Sequence, residues 1–228
     1  MTDVFSRLRE QILRGELPPG SHHSVYRLSA ELGVSRTPVR EAVLRLADLG
    51  LVTIERNRGI TVRGVRAEDI RDVFELRLLL EVPAAAGAAV QADPVLAKRL
   101  EAALESMRAA ARAGDQGAFF VHDRALHAAL GEALGNPRLS QEVDRLRDSI
   151  QVRGVSTVGQ TRSLLQVAEE HAPIVEAVIA GDPRGAAAAM RQHLMATADL
   201  LLRNIEGVDH LRSWAVHAPV SGESASDR

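Results

Sequence analysis

Residues 32–52 read LGVSRTPVREAVLRLADLGLV, and this stretch decides the character of the N-terminal third. Gly33 is free to take the positive φ of a helix exit. Ser35 or Thr37 can cap a new helix, and Pro38 falls in its first turn, where a proline loses no helical hydrogen bond. Val39, Val43 and Leu46 recur at helical spacing and form a stripe to be buried. Arg36 and Arg40 then flank one side of the helix, Arg45 lies away from the stripe, and the arginines face outward. Upstream, Ser24 can cap a helix carrying Val25, Leu28 and Leu32, so a tight turn joins two short helices as in a helix-turn-helix.

The flanks complete the unit. Val4 to Arg14 places Val4, Leu8 and Ile12 on one helical stripe, ended by Gly15 and the Pro18-Pro19-Gly20 turn. After Gly50, Leu51 to Glu55 and Ile60 to Val65 read as two short strands, with Asn57, Arg58 and Gly59 between them, which makes a β-wing. A helix presenting arginines from its N-terminal half suits the major groove, where arginine bridges O6 and N7 of guanine or holds phosphates. Arg58 at the wing tip suits the minor groove or the backbone. Taken one at a time, these features also describe a solvated basic face and an ordinary hairpin turn.

The chain has 228 residues and a net charge of −2, with 46% hydrophobic and 25% charged residues. Disordered polyelectrolytes and fibrous repeats are therefore excluded. Six residues are aromatic, and the dominance of alanine and leucine predicts a mainly α protein. The charge is unevenly divided: residues 1–66 hold 11 Arg, no Lys and 7 acidic residues, whereas the remainder holds 17 basic and 23 acidic. A small basic domain that meets phosphates, followed by a larger domain with another task, fits this division. The lack of cysteine excludes disulfides and thiolate chemistry. The longest uncharged run, Val82 to Ala92, is too short to span a bilayer. These features predict a cytoplasmic protein.

Residues 8–65 resemble the winged helix-turn-helix of the GntR family of bacterial transcription regulators. The likeness runs from Pro18-Pro19-Gly20 through residues 32–52 to Asn57-Arg58-Gly59 and Val62. It implies that Arg36, Arg40, Arg45 and Gly59 contact DNA, with Thr37 and Arg58 beside them. His22-His23-Ser24 departs from the Leu and Ser-Glu that relatives carry after the PPG turn. Both of these histidines, like His210 and His217, are expected to be solvated.

From Ala67 onward the pattern predicts an all-α bundle with helices near 67–91, 94–113, 116–134, 137–153, 161–180 and 183–207, followed by a loose tail over 208–228. The sequence shows no dinucleotide fingerprint and no phosphate loop. Several apolar stripes include an ionisable residue. Asp123 and His127 share the face of Phe119, Leu126, Leu130 and Leu134. His171 lies with Val167, Ile174 and Val178, His193 with Met190, Leu194 and Leu201, and Arg77 with Ile70, Phe74 and Leu80. Burying such groups is costly unless something satisfies them. A divalent metal does so for one aspartate and three histidines, and each histidine alone is equally a hydrogen-bonded core residue. His122 points about 100° away from the stripe and is left out.

This region resembles the FCD ligand-binding domain of the FadR-type branch of the GntR regulators, in its smaller VanR-like form. The resemblance implies a metal bound by Asp123, His127, His171 and His193, with zinc, nickel or manganese all suited to such a set. It also implies a small carboxylate effector on that metal, with Arg77, and secondarily Arg153, pairing its second oxygen. For Arg77 a salt bridge to Glu81 or Glu75 is the competing reading.

The expectation is therefore a homodimeric regulator, a repressor rather than an activator, whose affinity for a palindromic operator in double-stranded DNA responds to an organic acid. A regulator that senses the metal alone is the principal rival. A metal-dependent enzyme is a further one, since such a site can activate water, but no general acid or base accompanies the stripes.

Overall fold

The computed structural model describes residues 3–56, 58–64, 66–151 and 162–206. Arg153, His210, His217 and the tail lie outside them. The chain divides into two compact units, one of residues 1–66 with 147–155, the other of residues 67–146 with 156–228. The division at Arg66 is where the charge changes sign, and the grouping of residues from Arg147 with the first unit was not foreseen.

The first unit runs α1 (Val4–Leu13), β1 (His22–His23), α2 (Val25–Leu32), α3 (Arg36–Asp48), β2 (Val52–Glu55) and β3 (Gly59–Val62). Ser24 caps α2 by accepting the Arg27 N–H, and Gly33 closes it at φ 68°. Val39, Ala42, Val43 and Leu46 of α3 are buried with Leu8, Leu28, Leu51 and Ile60. The sheet is antiparallel in the order β1-β3-β2, with His23 opposite Ile60 and Glu55 opposite Gly59. β1 has only two residues, too few for any alternation to mark it in the sequence.

Membership of that strand overturns one expectation. His23 is 8% exposed rather than solvated. Its Nε2 meets Ser21 Oγ at 2.7 Å, while Nδ1 is buried without a hydrogen-bond partner. Burial, together with Arg27 and His22, holds its imidazole below the usual 6.5 against the pull of Glu31. The unfolded chain, whose histidine is ordinary, therefore takes up the proton first. Stability is full above about pH 6.5 and declines as pH falls below it. We expect His23→Leu to flatten this decline in urea titrations between pH 7.5 and 5.5 and to stabilise the fold by about 1 kcal/mol at neutral pH, because the orphaned ring nitrogen is gone. An unchanged pH dependence would show that the proton goes elsewhere.

The second unit contains α4 (Ala67–Val90), α5 (Pro94–Ala113), α6 (Gln116–Glu132), the first part of α7 (Pro137–Gln151), α8 (Leu164–Ile179) and α9 (Pro183–Glu206). Their limits follow local chemistry. Asp93 accepts the N–H groups of Val95 and Leu96 ahead of Pro94, and Gly114 ends α5 at φ 68°. Ser163 and Gln166 form a reciprocal capping box at α8. α4 packs along α9, α5 against α6 and α8, and α8 against α9. The interior holds Phe74, Leu100, Met107, Phe119, Leu126, Ile174 and Leu194. Among the described residues no helix is long and apolar enough to cross a membrane.

Candidate nucleic-acid interface and histidine centre

Burial of one α3 stripe leaves the opposite face outward. Arg36, Arg40, Tyr26, Arg58 and Gly59 line a groove of about 460 Å³ between the start of α2, α3 and the β2–β3 wing. The Arg36 guanidinium stands 5.6 Å from the centre of the Tyr26 ring, a cation–π contact that narrows its choice of rotamers. Three arginines around one concave surface attract phosphates and place guanidinium forks where base edges can be read.

Not every expected residue lines this groove. Thr37 is exposed beside it, and Arg45 turns toward α1, 4.0 Å from the Phe5 ring centre and 3.2 Å from Asp3 Oδ2. Gly59 has a structural reason of its own. At φ 113° a Cβ there would lie 2.2 Å from the His23 carbonyl oxygen, so only glycine lets β3 close onto β1. His22, also expected to be solvated, is exposed yet bridges the wing. Its Nε2–H donates to the Arg58 carbonyl at 2.9 Å and its Nδ1 meets Thr61 Oγ1 at 2.9 Å.

In the second unit, Asp123 and His127 sit one turn apart on α6, His171 projects from α8 and His193 from α9. All four are buried. One nitrogen from each of the three histidines falls within a 4.8 Å cluster. His127 Nε2 and His171 Nε2 are 3.2 Å apart, and Asp123 Oδ1 lies 3.1 Å from His171 Nε2 and 4.0 Å from His127 Nε2.

The far sides of the rings decide what these atoms are. His171 Nδ1–H donates to the Val167 carbonyl at 2.8 Å, and His127 Nδ1 is hydrogen-bonded to Glu81 Oε2. Assigned from these partners, the proton sits on Nδ1 in both rings, and both Nε2 atoms face the shared interior with a lone pair to offer. Two imidazole lone pairs and a carboxylate oxygen converging in a buried space are the donor types that a divalent cation takes. Spacings of 3.1 to 4.0 Å match donors about 2.1 Å from one shared ion. The donor set therefore fits a divalent metal.

Arg77, expected to reach an effector, is 6% exposed and its Nε donates to Glu81 Oε1 at 2.6 Å. This is the competing salt bridge weighed from the sequence. Glu81 was weighed only as a partner of Arg77, and no role was foreseen for Glu170 or Arg162. Glu170 Oε2 lies 3.5 Å from His193 Nδ1 and is bonded to Arg162 Nη1. Glu81 had a usable signal, since it follows the stripe residue Arg77 by one turn. Arg162 precedes α8, where no periodicity speaks for it.

A winged helix-turn-helix with an arginine-lined groove, joined to a helical unit with a buried ligand-type cluster, defines a DNA-binding transcription regulator. The description "Bacterial regulatory proteins, gntR family" matches residues 1–62, and "FCD domain" matches residues 72–196. The chain belongs to the GntR family and has its FCD architecture. It is 32% identical over 213 residues to the "Probable D-xylose utilization operon transcriptional repressor" of Paenarthrobacter nicotinovorans, covering 91% of this chain and 93% of the relative. It is 30% identical over 211 residues to the regulator LutR of Bacillus subtilis, covering 83% and 95%. The solved structure of the Listeria monocytogenes protein Lar shares the fold at a TM-score of 0.69 and 22% identity, over 88% of this chain and 95% of that one. These family members are regulators of transcription, not enzymes.

Proposed function

We propose that the protein is a cytoplasmic, homodimeric repressor of a palindromic operator whose FCD unit holds a divalent metal and senses a small organic acid. Arg36, Arg40, Arg58 and the Gly59 backbone read or grip the DNA, with Thr37 and Arg45 at the flank on phosphates. Asp123, His127, His171 and His193 hold the metal, be it zinc, nickel or manganese. The bound ion supplies a Lewis-acidic centre for an effector carboxylate. The chain's own part is to keep four donors converged in a dry interior. Arg153 is assigned to the effector's other end, since Arg77 is engaged with Glu81. Differential binding of the acid to two arrangements of the protein alters operator affinity by about 1 to 3 kcal/mol.

The observation that supports this reading is the convergence, from three helices, of the buried His127, His171 and His193 nitrogens, with Asp123 Oδ1 beside His171. The test is the native mass of the full chain before and after chelation, with metal analysis of the same sample. A near-stoichiometric divalent metal with an additional organic-acid mass is expected. Absence of metal after reconstitution would reduce the four residues to core positions and leave DNA binding intact. Operator affinity that responds to metal alone would make the ion itself the signal.

A further inference from the structure

The Nδ1 atoms of His127 and His171 are each hydrogen-bonded away from the centre, and a carboxylate held by an arginine lies near one nitrogen of His193. His127 Nδ1 meets Glu81 Oε2 while Glu81 Oε1 receives Arg77 Nε at 2.6 Å. His193 Nδ1 lies 3.5 Å from Glu170 Oε2, which is bonded to Arg162 Nη1, and Arg162 Nη2 reaches Thr197 Oγ1 at 3.4 Å, one turn beyond His193 on α9. His171 is held instead by a main-chain carbonyl of its own helix.

We infer that Glu81 is a positioning residue of the histidine centre, clamped by Arg77 so that it sets the orientation of the His127 ring. The inference rests on the metal reading above. Three observations separate it from a chance core ion pair. Glu81 divides its two oxygens, one to Arg77 and one to His127, so both ends of the carboxylate are committed. It meets His127 at Nδ1, not at the inward-facing Nε2. The guanidinium balances the carboxylate charge, so the ring is turned and held with no net charge beside it. The link also crosses between helices, since Glu81 ties α4 to α6. Outer partners of metal-bound histidines fix tautomer and direction, and their loss typically costs 10- to 100-fold in metal affinity.

The Arg77 and Glu81 side chains are sealed, whereas Glu170 is 29% exposed. Glu81→Gln keeps the shape but weakens the clamp. Because it leaves Arg77 buried without its ion pair, the double variant Arg77→Met, Glu81→Leu is made beside it. Exchanging a buried ion pair for apolar groups of similar volume is often neutral for stability.

The full chain is stripped of metal, and zinc affinity is measured by competition with a chromogenic chelator. Cobalt(II) absorption is recorded at saturation. Both variants are expected to bind zinc 10- to 100-fold more weakly than the unaltered protein. The double variant should still fold and melt cooperatively when metal-free, lower by no more than the cost of one unsatisfied His127 N–H, and the saturated cobalt spectrum should keep its shape because the ligands are the same. Zinc affinity unchanged in the double variant overturns the inference. A changed cobalt spectrum overturns it in another way, by making Glu81 a ligand. If the unaltered protein binds neither ion, the metal reading itself fails and takes this inference with it.

Discussion

Replacing Arg40 with alanine is expected to weaken binding to a duplex selected from a random pool by 10- to 100-fold, about 1 to 3 kcal/mol, while metal content stays unchanged. Arg40 lies in the first half of α3, and its neighbours Val39, Ala42 and Val43 are buried. The backbone beneath it is therefore rigid, and its guanidinium opens into the groove shared with Arg36 and Arg58. The side chain is exposed, so truncation leaves no cavity and no orphaned partner in the core. The salt dependence tells which contact is lost. A base-edge contact leaves the slope of affinity against salt nearly unaltered, whereas a phosphate contact lowers it by about one. Binding equal to that of the unaltered protein would remove α3 from the DNA interface, and loss of metal from this variant would contradict the division of labour between the units.

The converse is expected of His171→Ala. This ring is fully buried and reaches both His127 Nε2 and Asp123 Oδ1. Zinc at about 1,000 times its dissociation constant stabilises a protein that binds it only when folded by about 4 kcal/mol. For a chain of this size that corresponds to a rise of about 10 °C in melting temperature. The unaltered protein should show such a rise and His171→Ala almost none. The variant's affinity for the selected duplex should match that of the metal-free parent. An equal zinc-induced rise in both proteins would exclude His171 as a ligand.

What the sequence revealed follows from how burial leaves its mark. An apolar stripe at helical spacing identifies the inner face of a helix, and a histidine on it stands out as costly. Asp123, His127, His171 and His193 were found in this way, and helix limits were found from Gly33 and Gly114, whereas the Ser163 cap of α8 was not foreseen. Glu81 was weighed as a partner of Arg77, but its contact with His127 escaped because a glutamate among helical charges does not reveal its partner in another helix. The two-residue strand His22–His23 carries no period at all. Arg45 was grouped with Arg36 and Arg40 on the family's pattern, and its turn toward Phe5 and Asp3 depends on α1 lying beside it.

The two faces of α3 are answerable to different constraints. Val39, Ala42, Val43 and Leu46 are held to size and shape by their neighbours, whereas Arg36, Thr37, Arg40 and Leu44 are exposed, with Arg36 resting against the exposed Tyr26. Substitutions on the outer face are nearly neutral for folding, and those on the inner face are not. A gene copy can thus drift to a new operator through outer-face changes alone, without first acquiring a compensating mutation in the core. Descendants with one scaffold and unrelated target genes are the natural result of that freedom.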